Sequence, residues 1–407
     1  MKFHMLILFH LMINGSFAFQ SILSRYNLTL QTYPIVTVDG YILRLHRVIT
    51  DDYFQSTPHN YSQSRKPIIL QHGLFGASNN FFINSQESDY PIKNLTNTTC
   101  AKLNNIGICL LKTQRYDVWL PNSRGNFYSN AHLHLSNELS SFWKFNSDHM
   151  SAYDLPPTIE FIQNQTKHKQ IAYIGYSQGA SLMFQLLSSR PEYSKTINPF
   201  IAWAPPIYIS HMTSMMRYLD TTIPFFQTTA GRFVPMEYLS NYIGSLVCDF
   251  SSHTNALCGR VLTSIAGPTN HLNQTRVPNY FQYFPSIAST WSVVQFGQWY
   301  RTNRFAYFDY GLIENYHKYG QYSVPEYRLE NIPQDYNITI FHGSTDGFVS
   351  EQDTRKLIDQ LLSYRINVTE YRIPSDTWNH LDFLFGIDAG RLVYEPTIQM
   401  LDRFLNH

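Results

Sequence analysis

The stretch Ile171–Ser181, IAYIGYSQGAS, runs from β-branched and aromatic residues into a serine with Gly175 two places before it and Gly179 two places after. A buried strand that turns at once into a helix holds its turn residue in a strained conformation with the side chain standing clear. Flanking glycines remove the Cβ atoms that would strike the neighbouring strand and helix. Ser177 is therefore a candidate nucleophile at a strand end. The other reading is a surface turn that uses small residues for packing, which a five-residue pattern does not exclude.

Outward from Ser177, short apolar or β-branched runs alternate with segments of helical length. PIVTV, YILRLHRV, PIILQHG and YDVWLP precede it, and FIAWAP, ITIFHG and NVTEYRI follow. The alternation predicts an α/β fold with a mostly parallel sheet. No G-x-G-x-x-G and no phosphate-binding loop follows any of these runs, which argues against nucleotide-dependent chemistry. Between Pro205 and Ile338 the rhythm breaks into a stretch rich in Tyr, Phe and Met, such as HMTSMMRYL and VPNYFQYFPSIASTWSVVQFGQWY. That interval exceeds any ordinary loop, so an inserted subdomain is expected. Its apolar side chains form either its own core or a lid that shields a hydrophobic substrate. The expected organisation is a leader over 1–18, a core over 19–205 and 333–407, and an insertion over 206–332.

The chain has 407 residues, 43% of them hydrophobic and 14% charged, which suits a sizeable core and argues against disorder. Net charge is +1 with no long basic run, so nucleic acid is not an expected partner. The N-terminal MKFHMLILFHLMINGSFAFQS has a basic start, a short apolar run and small residues, the grammar of a signal peptide. No later segment holds eighteen uninterrupted apolar residues, so a secreted or lumenal protein is expected rather than a membrane protein. N-x-[ST] sequons at Asn27, Asn60, Asn94, Asn97, Asn164, Asn273, Asn337 and Asn367 agree with that compartment and are expected on the surface. Cys248 and Cys258 could close a short loop, while Cys100 and Cys109 either pair or stay free. No Cys or His cluster has zinc-site spacing, and neither a metal nor a cofactor is expected.

A serine nucleophile needs a histidine to take its proton, a carboxylate to orient that histidine, and backbone donors for the oxyanion. In α/β-hydrolases these follow the chain order serine, carboxylate, histidine. ITIFHGSTDGFVSEQD places Asp346 in a loop just past a strand, whereas Asp353 reads as a residue opening the next helix. VTEYRIPSDTWNHLDFLFG supplies His380, the single histidine between Asp346 and the final His407. Asp382 lies beside it but out of order. LQHGLFGAS, ending a strand upstream, offers the Leu74 N–H, which together with the Gln178 N–H could face the developing charge. His72 in that motif is expected to hold the loop rather than act as base.

These stretches together resemble the acid lipase family, the gastric and lysosomal lipases. The resemblance runs through TVDGYILRLHRV, LQHGLFGAS, YDVWLPNSRGNFYS, FWKFNSDHMSAYDLPPTIEFI, the elbow, STWSVVQFGQWYRTNRFAYFDYG, FHGSTDGFVS and WNHLDFLFGIDA, and covers nearly the whole chain after the leader. It implies an α/β-hydrolase fold with a central, mostly parallel eight-stranded sheet and a mainly helical cap. It gives Ser177, Asp346 and His380 the triad roles, Leu74 and Gln178 the oxyanion donors, and Cys248 with Cys258 a lid disulfide. A long-chain lipid ester at a lipid–water interface is the implied substrate, and a monomer in the secreted or lysosomal lumen the implied setting. Three departures stand out. Tyr176 occupies the elbow position where the family usually has His, His149 stands where it usually has Glu, and FFINSQESDYPIKNLTNTTC is longer and different. Two other readings remain open at this point: a non-catalytic relative serving as a binding module, and an esterase for small soluble esters.

Overall fold

The runs on either side of Ser177 assemble into one sheet in the computed structural model, which describes residues 19–55, 58–84, 100–222, 230–233 and 242–405. The leader, the sequons at Asn94 and Asn97, and most of the divergent segment before Cys100 lie outside the described residues. Eight strands share one path: β1 (Leu28–Val36), β2 (Tyr41–Thr50), β3 (Lys66–Gln71), β4 (Tyr116–Pro121), β5 (Ile171–Tyr176), β6 (Ile197–Trp203), β7 (Asn337–His342) and β8 (Asn367–Arg372). Their spatial order is β1-β2-β4-β3-β5-β6-β7-β8. A ninth strand of two residues, Ala131–His132, pairs with β2 off this path, one short strand more than expected.

Among the described residues of this sheet, β2 pairs antiparallel with its neighbours β1, β4 and Ala131–His132, and every other pair along the path is parallel. The central strands β4 and β5 are buried at every residue, which is why they read as unbroken apolar runs rather than alternating ones. β1 begins at Leu28, well before the PIVTV run that announced it, and from Gln31 to Val36 its residues alternate between more and less exposed, as in a half-exposed edge strand. Pro34 is tolerated there because an edge strand has one row of N–H groups without a partner.

Helices α1 (Ile106–Lys112), α2 (Leu155–Thr166) and α3 (Gln178–Ser189) belong to the crossovers before β6. Between β6 and β7 come α4 (Tyr242–Asp249), α5 (Ser252–Ala266), α6 (Val277–Tyr283), α7 (Thr290–Thr302) and α8 (Leu312–Tyr319), followed after β7 by α9 (Glu351–Ser363) and α10 (Glu395–Leu405). No described residue between Trp203 and Asn337 joins the main sheet; Arg232–Phe233 and Ala288–Ser289 form a separate two-residue ladder. α5 opens on a reciprocal cap, in which Ser251 Oγ accepts the Thr254 N–H at 3.2 Å and Thr254 Oγ1 accepts the Ser251 N–H at 3.0 Å. Cys248–Cys258 is bonded and ties α4 to α5, and Cys100–Cys109 is bonded as well.

The segment between β6 and β7 is keyed to the rest of the chain through Asp148. Its carboxylate accepts from Gln295 Nε2 at 2.6 Å, Tyr327 O–H at 2.7 Å and the Phe308 N–H at 2.8 Å. Burial pushes this carboxyl up to about 6. Of the described sequon asparagines, Asn27, Asn60, Asn164, Asn337 and Asn367 are exposed. Asn273 departs from the surface expectation: it is 7% exposed, and its side chain accepts from the Thr275 N–H and hydroxyl as a helix cap.

Candidate active site

Ser177 sits between the last residue of β5 and the first of α3 with φ 54° and ψ −123°, a left-handed conformation that costs a non-glycine residue about 1–3 kcal/mol. The turn is held by the Ser177 N–H donating to Trp203 O of β6 at 2.8 Å. Its glycines are required by space. A Cβ on Gly175 would lie 2.6 Å from the Ala180 nitrogen, and one on Gly179 would collide with the carbonyl oxygen of Gln71 and lie 2.8 Å from that of His72. The loop after β3 passes as closely, since a Cβ on Gly73 would lie 2.9 Å from the Ser177 Cβ.

Asp346 follows β7 and His380 follows β8, so both loops converge on the carboxyl ends of the parallel strands where Ser177 stands. His380 Nε2 is 2.8 Å from Ser177 Oγ, and His380 Nδ1 is 2.7 Å from Asp346 Oδ2. Asp346 Oδ1 accepts the N–H groups of Phe348 at 2.8 Å and Val349 at 2.9 Å. With Asp346 Oδ1 taken by two backbone N–H groups and Oδ2 facing the ring, His380 Nδ1 is placed to donate to Asp346 and Nε2 to accept the Ser177 proton. All three residues are buried. Leu74 follows β3 and lines the same cavity as Ser177, and Gln178 is the first residue of α3, where N–H groups have no intrahelical acceptor.

The cavity over Ser177 and His380 is walled largely by apolar side chains, among them Leu74, Phe75, Phe281 and Val293. Val261 and Ile265 come to it from α5, the helix held by the Cys248–Cys258 bridge. Such a wall offers a fatty chain a surface that water leaves at a gain of roughly 25 cal/mol per Å². Among the described residues, no three of His, Cys, Asp or Glu converge as a metal-binding set would.

The competing candidates are engaged elsewhere. His72 is buried with Nδ1 2.8 Å from Gly73 O, while its Nε2 accepts the Ser123 N–H at 3.1 Å, and desolvation lowers its pKa to about 4. It staples the β3 and β4 loops together as a neutral ring. Asp353 lies in the first turn of α9 and accepts from Ser350 Oγ at 2.9 Å and the His211 N–H at 3.0 Å. Asp382 accepts the Asn379 N–H at 2.7 Å while Asn379 Oδ1 accepts the Asp382 N–H at 3.0 Å, a cap that shapes the turn around His380. Burial pushes the Asp382 carboxyl up to about 7.

His149, the second departure in the sequence, is off the cavity wall, with Nδ1 2.9 Å from Asn146 Oδ1 and its ring 6.0 Å from that of Tyr153. Desolvation, reinforced by Arg124, lowers its pKa from 6.5 to about 4. A histidine with a depressed pKa stabilises the fold above its unfolded value and loses that contribution as pH falls through the folded one. Between pH 6.5 and 4 the wild type should therefore lose on the order of 2 kcal/mol relative to His149→Gln. Thermal denaturation across that range reads it, and parallel stability curves for the two proteins would refute the assignment.

One contributor went unmarked in the sequence. Ala266 O, at the end of α5, accepts both the Gly347 N–H at 2.8 Å and the His380 N–H at 3.2 Å, and Gly267 O accepts Asn379 Nδ2 at 2.7 Å. The inserted helix thus braces the Asp346 and His380 loops together. Backbone carbonyls carry no residue signature, so only the aromatic-rich composition of the insertion hinted that it mattered.

Two family models match the chain: "Partial alpha/beta-hydrolase lipase region" over residues 19–85 and "alpha/beta hydrolase fold" over 66–197. The chain is 31% identical over 384 residues to the gastric triacylglycerol lipase of Bos taurus, covering 91% of this chain and 87% of that protein. It is 31% identical over 398 residues to the lysosomal acid lipase/cholesteryl ester hydrolase of Homo sapiens, covering 94% and 90%. Among solved structures, a soluble variant of monoglyceride lipase from Saccharomyces cerevisiae superposes with a TM-score of 0.51 at 14% identity, covering 92% of this chain and 96% of that one, a likeness of fold. Full-length similarity at this level, on a sheet that brings serine, aspartate and histidine together in that chain order, places the chain in the acid lipase family of α/β-hydrolases.

Proposed function

We propose that this ester hydrolase of the acid lipase family cleaves long-chain acyl esters, of the triacylglycerol or sterol ester kind that its relatives are named for, with Ser177 as nucleophile. The observation that carries the reading is the hydrogen-bonded Ser177–His380–Asp346 relay opening into an apolar cavity. Ser177 Oγ attacks the ester carbonyl carbon as His380 Nε2 takes its proton, and Asp346 stabilises the imidazolium. The N–H groups of Leu74 and Gln178 face the oxyanion. The proton passes to the leaving alcohol, and water activated by the same histidine then releases the fatty acid and restores Ser177.

Residues 206–332 serve in this reading as a cap over the cavity, with the Cys248–Cys258 bridge fixing α5, the helix that supplies part of its wall. The leader and the exposed sequons support a secreted or lysosomal setting, and no helix among the described residues is long and apolar enough to cross a membrane. The enzyme works as a monomer on lipid presented at an interface.

A series of p-nitrophenyl esters from acetate to palmitate tests the substrate class. Turnover should rise with acyl length as the chain fills the cavity, and emulsified trioleoylglycerol should be hydrolysed. Activity confined to the shortest esters would make the protein an esterase for soluble substrates instead.

A further inference from the structure

Tyr176 stands in the elbow directly before Ser177. It is the last residue of β5, 4% exposed, and its register partner is Trp203 of β6, so its backbone belongs to the centre of the sheet. Its hydroxyl reaches across to the base loop and donates to the backbone carbonyl of His380 at 2.9 Å. Its ring lies 5.3 Å from the His380 imidazole, tilted by 35°. The next residue in the chain is the nucleophile.

We propose that Tyr176 is a positioning residue, which ties the base loop to the nucleophile's own strand through the Tyr176 O–H to His380 C=O hydrogen bond. The inference rests on the reading of Ser177 and His380 as nucleophile and base. His380 arrives on a loop more than two hundred residues along the chain from Ser177, and its backbone is held from two sides. The His380 N–H donates to Ala266 O at 3.2 Å from the insertion, and the His380 carbonyl accepts from Tyr176 on the sheet. The second tie is the more direct, because one peptide bond separates its anchor from Ser177. A displacement of about 1 Å between reacting groups can cost on the order of 10² in rate, so a tie of this kind is worth more to kcat than to stability.

The donor is a neutral one at any working pH, because burial, with the nearby Asp346 and Asp382 carboxylates adding to it, raises the Tyr176 phenol well above its ordinary value.

Tyr176→Phe removes the hydroxyl and keeps the ring. Expected is a fall in kcat on p-nitrophenyl butyrate of roughly 5- to 100-fold with KM within two-fold and Tm within a few degrees of wild type. The acid limb of the kcat/KM profile should move by at least about 0.3 pH units, since a loosened His380 no longer meets Ser177 in the same geometry. Tyr176→His, which also lacks a hydroxyl in reach, should behave as the phenylalanine variant does and serves in its place if that one fails to fold. A kcat less than five-fold below wild type, or a loss that tracks a fall in Tm with the pH profile unmoved, overturns the assignment. Ser177→Ala is assayed alongside. If it retains wild-type turnover, the hydrolase reading itself has failed, whereas an inactive Ser177→Ala beside an unimpaired Tyr176→Phe refutes the tie alone.

Discussion

Replacing Ser177 by alanine should lower kcat on a long-chain p-nitrophenyl ester by roughly 10⁴–10⁶-fold while leaving the fold intact. Alanine relieves no packing and removes no hydrogen bond of the turn, because the tie to Trp203 O runs through the backbone N–H. Since nucleophile and base act as a unit, the double variant Ser177→Ala with His380→Ala should be hardly slower than either alone. Asp346→Asn probes the third member. The Phe348 and Val349 N–H groups require an acceptor at Oδ1, so the new amide NH₂ is forced to the Oδ2 side, facing His380 Nδ1. The imidazole must then accept at Nδ1 and carry its hydrogen on Nε2, the tautomer that cannot take the serine proton. A loss of about 10⁴ follows from that reversal. Single-turnover assays with active-site titration read all three, and a Ser177→Ala enzyme within a hundred-fold of wild type would remove Ser177 from the chemistry.

The second large effect concerns stability. Arg124 is fully buried, with Nε 2.8 Å from Asp154 Oδ1, Nη1 2.6 Å from Asp39 Oδ2, and its guanidinium 4.0 Å from the centre of the Tyr41 ring. Burial raises the Asp154 pKa even with this cation present. At Asp39 burial also pushes upward, but the Arg124 hydrogen bonds and charge outweigh it and hold the carboxyl below its ordinary value. Arg124→Met strands both carboxylates, and leaving a buried charge without its partner costs about 3–5 kcal/mol. In the variant the buried Asp154 keeps a folded-state pKa above its unfolded one and Asp39 loses the cation that held it down, so the missing stability is recovered below the unfolded value and lost as pH rises. The gap in Tm between variant and wild type should therefore be wide at neutral pH and narrow on acidification towards pH 4. A gap that is constant, or that widens in acid, would show that the arginine acts by packing instead.

The effects differ in kind because the residues were legible to different degrees. Ser177 announced itself through glycines that sterics demand, and Asp346 and His380 through their places just past strands in the required order. Tyr176 stood in the same motif, yet its partner is a carbonyl two hundred residues away, which no local pattern encodes. Arg124 read only as part of NSRGN within a longer similarity. Its two carboxylates come from the turn before β2 and the helix leading into α2, so the pair exists only once the sheet has brought those turns together. The start of β1 was missed for a related reason: a half-exposed edge strand carries a weaker apolar signal than the buried runs at the centre.

By itself, the amino-acid order determined the strand runs, the elbow, the order of serine, carboxylate and histidine along the chain, and the long aromatic-rich stretch between Trp203 and Asn337. These are local or ordinal properties, set by side-chain size, polarity and backbone freedom within a few residues. Only the tertiary structure decided that Asp353 and Asp382 cap turns while Asp346 meets His380, that both cysteine pairs are bonded, and that the end of α5 holds the His380 N–H while the Tyr176 hydroxyl holds its carbonyl. Each of those depends on hydrogen bonds a few ångströms long between segments far apart in the chain. Such bonds form only where burial, by making an unpaired polar group costly, obliges each group to find a partner.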